Sequence, residues 1–175
     1  RLAAVFLCLT VHETCHGLAA LALGDPTAKS MHRLSLNPLR HIDWFGLLLM
    51  FVAGFGWAKP VPVDPRYFKK PKQGMALTAL AGPVSNFVLA ALGLLICKLI
   101  YLYIPYGNVW NVVFTFCYYT AILSIGLGVF NLIPIPPLDG SKVLAMLLPD
   151  GMYGTWMRYE RYGFFLLLAL SFAGI

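Results

Sequence analysis

Residues 1–25 read RLAAVFLCLTVHETCHGLAALALGD. Leu2 to Leu23 is one apolar run, and a bilayer core takes about 20 residues of helix to cross. In the middle of that run stand His12, Glu13 and His16. Ionisable side chains are costly in hydrocarbon, so three of them in a spanning helix point to function. Gly24-Asp25-Pro26 then stops the helix.

The three residues fit the pattern H-E-x-x-H. On a helix, positions i and i+4 share a face, so His12 and His16 can offer two imidazole nitrogens to one ion. Glu13 lies about 100° further round, beside the metal without having to bind it. That is the place for a general base acting on water. The same pattern in a soluble chain is often an accidental surface helix. Inside a span, three polar groups would lose hydration with nothing local to compensate, which favours the metal reading.

The rest of the composition agrees with a membrane setting. Of 175 residues, 59% are apolar and 11% charged, and the mean hydropathy is +0.75. A soluble domain carries about twice that charged fraction. The expected fold is an all-α polytopic membrane protein, a single domain over 1–175 with its core motifs in 11–144. We expect a bundle of about four to five membrane helices, one of them a candidate re-entrant segment. A short β-hairpin or strand region is expected between the first and third apolar segments. The formal charge of +6 sits in short stretches between apolar runs. There it sets orientation and touches lipid headgroups, so the expected partner is the lipid bilayer, with no nucleic acid.

Cys8, Cys15, Cys97 and Cys117 lie within apolar runs, fit neither a disulfide framework nor a CxxC clip, and are read as packing. Arg1 in place of Met and a last apolar run that stops in mid-span point to a segment of a longer chain. The opening run is not read as a signal peptide, because a cleaved segment has no use for HExxH.

Further along, HRLSLNP (32–38) alternates as a short strand does. Trp44 to Trp57 is apolar but short, and the basic, proline-rich AKPVPVDPRYFKKPKQG (58–74) cannot be one helix. Met75 to about Ile104 and Val109 to Ile133 are spans, and Tyr162 to Ile175 begins a last helix. Lys59, Arg66, Lys69, Lys70 and Lys72 place their loop in the cytoplasm, and the uncharged turn at 105–108 outside.

A catalytic zinc site needs a third protein ligand and an open position. Asp139, in NLIPIPPLDGSKVL, is the best-placed carboxylate, because prolines make the backbone around it irregular. Such backbone is tolerated at membrane depth only when buried or lining a wet cavity. The alternative is a plain surface turn at Asp139-Gly140 followed by a helix capped by Ser141. His32, His41, Asp25 and Asp43 compete as ligands but read as loop residues. Asn86 is polar and midway along a span, either a donor to developing charge or a helix–helix hydrogen bond beside Ala81, Gly82 and Ser85.

HETCH (12–16), GDPTAK (24–29), RLSLNPLRHID (33–43), GWAKPVPV (56–63), ALAGPVSN (79–86) and NLIPIPPLDG (131–140) stand in an order that resembles the site-2 protease family, in its compact prokaryotic type without a PDZ domain. The resemblance implies an intramembrane zinc metalloendopeptidase in the prokaryotic plasma membrane, acting on a single-pass transmembrane protein or peptide in regulated intramembrane proteolysis. It implies one zinc ion per chain, metal ligands at His12, His16 and Asp139, Glu13 as general base and acid, and Asn86 near the oxyanion. His32-Arg33 departs from the usual Gly-Arg, and Thr14 and Cys15 replace bulkier apolar residues within HExxH. The rival function is a metal-ion transporter or channel using the same His/His/Asp site. Glu13 discriminates, since transport needs no proton acceptor beside a ligand.

Overall fold

The computed structural model describes residues 1–53, 58–105 and 107–172 of the chain. Its helices are α1 (Leu2–Ala22), α2 (Thr27–Ser30), α3 (Trp44–Ala53), α4 (Pro71–Tyr103), α5 (Asn108–Asn131), α6 (Asp139–Leu147) and α7 (Asp150–Phe172). Among the described residues, α1, α4 and α5 are long and apolar enough to cross a membrane. The chain is a multi-pass, all-α membrane protein with α4 at its centre, packed against α1, α5 and α6.

The packing is that of a protein solvated by lipid. The buried residues of α1 include Ala4, Cys8, His12, His16 and Ala20, one residue per turn. That of α4 includes Thr78, Gly82, Asn86, Ala90, Gly93 and Cys97. Large side chains such as Leu77, Val88, Leu92, Leu95 and Leu99 point outward. Hydrocarbon is as good a solvent for Leu as a protein core, so small residues take the interface and let backbones approach. A Cβ on Gly93 would come within 2.9 Å of the Cys117 carbonyl oxygen, which sets how closely α5 lies on α4.

The expected β-hairpin is absent among the described residues. One isolated antiparallel bridge, Ile42 to Ala58, stands in its place. Pro60 and Pro62 have no N–H to give to a ladder, so the 58–63 segment cannot pair as a strand. Lys59 N–H goes to the His41 carbonyl (2.9 Å), and Val61 N–H goes elsewhere. The 32–38 stretch runs into a 3₁₀ turn, Pro38–Arg40, capped by the Asn37 side chain. At the departure from the family pattern, His32 has φ +53°. That is the left-handed region a glycine would occupy freely and the chain fills with a residue that tolerates it.

The span boundaries otherwise fall close to expectation. The last helix starts earlier, at Asp150. Of the Trp44 to Trp57 run, residues 54–57 lie outside the described residues.

Candidate metal centre

Each candidate ligand is placed by a local feature of its helix. His12 and His16 are buried on the inner face of α1 one turn apart, their rings edge to face at 4.5 Å between centroids. Asp139 arrives from the far side of the sequence. After α5 ends, LIPIPPL turns the chain back and α6 starts at Asp139. The turn depends on Gly140, because a Cβ there would lie 2.1 Å from the Leu132 carbonyl oxygen. Ser141 does not cap the helix; its Oγ donates to the Leu138 carbonyl at 2.6 Å.

Three donor atoms from these residues then form a small triangle. His12 Nε2 is 2.9 Å from His16 Nε2. Asp139 Oδ2 is 3.1 Å from the first and 3.2 Å from the second. In a tetrahedral zinc site with bonds of about 2.0–2.1 Å, ligand atoms stand roughly 3.3 Å apart, so the triangle is of the right size. Asp139 Oδ2 lies this near two imidazoles without hydrogen-bond geometry to either. A buried carboxylate oxygen so placed is one a cation would satisfy. All three residues are buried and fit one metal ion.

The outer nitrogens of the two rings are held by α4. His16 Nδ1–H donates to the Thr78 carbonyl at 2.7 Å. The Asn86 carboxamide stands 3.0 Å from His12 Nδ1. Between them, Gly82 leaves room for both rings, since a Cβ would lie 2.4 Å from His16 Nε2 and 2.6 Å from His12 Cε1. Thr78, Gly82 and Asn86 are spaced at i, i+4 and i+8, so they face the two histidines turn for turn.

Glu13 is held differently, by a loop. Its Oε2 accepts the Val61 N–H at 3.0 Å. The 58–64 segment therefore runs as a strap past the carboxylate, tied at both ends. Arg33 Nη2 donates to the Lys59 and Pro60 carbonyls at 2.8 and 3.3 Å. At the other end Asp64 N–H donates to Asp25 Oδ2 at 2.7 Å, and Asp25 is wholly buried. Thr27 gives both its N–H and its hydroxyl to the other Asp25 oxygen. The Asp64 carboxyl itself takes the Arg66 guanidinium, which holds it below the ordinary carboxylate range.

Two cavities meet at His12 and Glu13. One, of about 510 Å³, is walled by Val5, Phe6, Leu9, Leu47, Leu127 and Phe130. The other, of about 320 Å³, is walled by His16, Thr78, Asp139 and Lys142 among others. Asn86 lines neither. The competing ligands are otherwise engaged. Asp25 anchors the strap, Asp43 caps α3 through the Phe45 and Gly46 N–H groups, and His41 Nε2–H donates to the Ser35 carbonyl. His32 sits in its exposed turn.

Known proteins resemble the chain over most of its length. The chain is 42% identical over 166 residues to "Putative zinc metalloprotease YwhC" of Bacillus subtilis (strain 168), covering 92% of this chain and 74% of that protein. The chain belongs to peptidase family M50. The family's own profile, Peptidase family M50, matches residues 96–170, a stretch that contains Asp139. The Rip2 proteins of Mycolicibacterium smegmatis and Mycobacterium tuberculosis bear the same zinc metalloprotease description. They are 26% and 32% identical over 93% and 80% of this chain, which spans 62% and 53% of their lengths. No solved structure matches the chain. M50 is the site-2 protease family of zinc metalloproteases, so zinc is the metal the His/His/Asp group is to be judged against, and the donor set fits it.

What the sequence left unseen in this M50 centre is its support. A backbone carbonyl at Thr78 and a backbone N–H at Val61 leave no trace in residue type. Gly82 does leave one, as the middle member of the Thr78, Gly82, Asn86 spacing on α4.

Proposed function

We propose that this chain is the catalytic core of an intramembrane metalloendopeptidase that cuts peptide bonds within or beside transmembrane segments. The observation that carries the proposal is the convergence of His12, His16 and Asp139 donor atoms to within 3.2 Å of one another, with the Glu13 carboxylate beside them. His12, His16 and Asp139 would hold one zinc ion, which supplies Lewis acidity and lowers the pKa of a water in its open position. Glu13 takes a proton from the attacking water and returns it to the leaving amine. The Val61 N–H keeps one Glu13 oxygen in place and leaves the other to face the reacting atoms.

The two cavities divide the remaining work. The apolar one suits a substrate side chain from a membrane segment, and the one beside Asp139 and Lys142 is a route for water. A helix hides its peptide bonds in i→i−4 hydrogen bonds, so the substrate unwinds locally before attack. The 33–38 stretch is the edge along which such a segment can lie. The substrate is then a single-pass transmembrane protein or peptide, and the setting a bacterial plasma membrane with the Lys59–Lys72 loop on the cytoplasmic side.

The test is a side-by-side cleavage assay of wild type and Glu13→Gln on a model single-span peptide, with zinc measured on both. Equal zinc with cleavage in the wild type alone is the expected result. Equal zinc with an intact peptide in both would favour metal transport instead.

A further inference from the structure

We infer that Asn86 is a positioning residue for His12, acting through its carboxamide oxygen, and does not contact the reacting carbonyl. The inference rests on the reading of His12, His16 and Asp139 as a zinc site.

Tautomers carry the argument. His16 Nδ1 lies 2.7 Å from the Thr78 carbonyl, and a carbonyl oxygen can only accept. The His16 proton is therefore on Nδ1, and its Nε2 lone pair faces the centre. His12 Nε2 lies in the same triangle, 2.9 Å from His16 Nε2. To ligate the same ion it must also present a lone pair, so its proton too sits on Nδ1 and needs an acceptor. The group at that nitrogen is the Asn86 carboxamide, at 3.0 Å. An amide nitrogen cannot accept, but a half-turn of the amide puts Oδ1 where Nδ2 stands and leaves the side chain's outline unchanged. With Nδ2 toward His12, Oδ1 is buried and has no partner at all. Metal binding thus selects the orientation in which Asn86 accepts from His12.

Burial and placement separate this role from stabilisation of an oxyanion. Asn86 is 0% exposed, sealed on the α1–α4 interface. It lines neither cavity, whereas Glu13 lines both. It meets His12 on the Nδ1 edge, the edge turned away from Asp139. Its counterpart two turns earlier on α4, the Thr78 carbonyl, does the same for His16. Groups that orient an imidazole ligand in this way typically change metal affinity 10–100-fold when removed.

The experiment compares wild type, Asn86→Leu (similar size, no acceptor) and Asn86→Asp (acceptor oxygen kept), purified as the full chain in detergent. Zinc affinity is read by competition with a chromophoric chelator. Thermal melting is followed with and without zinc, and cleavage in parallel. We expect Asn86→Leu to bind zinc about 10–100-fold more weakly, with an apo form at least as stable as the wild type's. Asn86→Asp should stay within about threefold of the wild type. Wild-type zinc affinity in Asn86→Leu with cleavage lost would overturn the inference and return Asn86 to the substrate. So would a tenfold loss in Asn86→Asp, which decides the matter if the leucine variant does not fold. Long-range ¹H–¹⁵N spectra of zinc-loaded, histidine-labelled wild type give a check free of mutation. His12 should be protonated on Nδ1, and an Nε2–H tautomer would sink the inference. A wild type that binds no zinc would instead defeat the metal reading beneath it.

Discussion

The two sides of the centre are built on different principles. The metal side is helix against helix: His12 and His16 on α1, with Thr78, Gly82 and Asn86 opposite on α4, all one turn apart. The base side is helix against loop, with Glu13 held by the Val61 N–H of a strap fixed at its ends by Arg33 and Asp25. Helix faces packed through small residues are rigid and fix ligand geometry before any metal arrives. A strap with prolines at alternate positions has few backbone bonds of its own and depends on its anchors. Damage to the α4 face should therefore appear as lost metal, and damage to the strap as slower turnover by an enzyme that keeps its metal.

The largest effect tests that division at Glu13 itself. Glu13→Gln should lower kcat by about 10²–10⁴-fold while zinc content stays at the wild-type level, as expected for loss of a general base. Zinc lost in parallel would mean that the carboxylate is a ligand. Next comes Gly82→Ala, whose new methyl would stand 2.4 Å from the His16 ring and 2.6 Å from the His12 ring. Both imidazoles must shift, so we expect zinc content to fall to roughly a tenth or less, with cleavage falling alongside it. Zinc content unchanged in this variant would break the picture of a rigid metal side.

On the strap, Asp25→Ala removes the acceptor of the Asp64 N–H and both Thr27 donors. It should cost about 1–3 kcal/mol in stability and reduce kcat several-fold, with zinc retained. Melting and turnover measured on one preparation check both halves. A smaller gain is expected from His32→Gly, because a non-glycine residue in the left-handed region costs about 1–2 kcal/mol and glycine returns part of that as entropy. The melting temperature should rise slightly, with zinc and cleavage unmoved.

The smallest effect belongs to the exposed pair Lys72–Asp150, at 2.7 Å. Lys72 holds the Asp150 carboxyl below its ordinary pKa. The sign follows: the contribution is present above the unfolded carboxylate pKa and fades as pH falls through the lowered folded value. Asp150→Asn should therefore leave melting near neutral pH almost unchanged, and any difference should vanish in acid and in high salt.

The helical half of this design was legible in sequence because its rules are local. HExxH fixes two side chains within one turn, and apolar length fixes the spans. Asp139 could be singled out because proline-rich irregular backbone beside a span needs a reason to be there. The loop half follows no such local rule, and the side-chain alternation of 32–38 does not make a strand there. Alternation reports which way side chains point, but pairing needs donors, and Pro60 and Pro62 have none. Lys59 and Val61 keep theirs and spend them on His41 and Glu13. The last helix begins ahead of its apolar run, and the polar residues at its start, Asp150 and Arg158, mask that beginning in the sequence. Thr78 was invisible because only its backbone acts. Asn86 was visible as a buried polar residue, but whether it faced substrate or ligand depended on which turn of α1 lay opposite.

The claim on which the rest depends is that Asp139 returns from the second half of the chain to complete a site begun by His12 and His16. Zinc stoichiometry of purified Asp139→Ala, set beside the wild type, tests it most directly. We expect one zinc per wild-type chain and less than about a tenth in the variant, with its helical content intact. A folded Asp139→Ala that still holds one zinc would contradict the account.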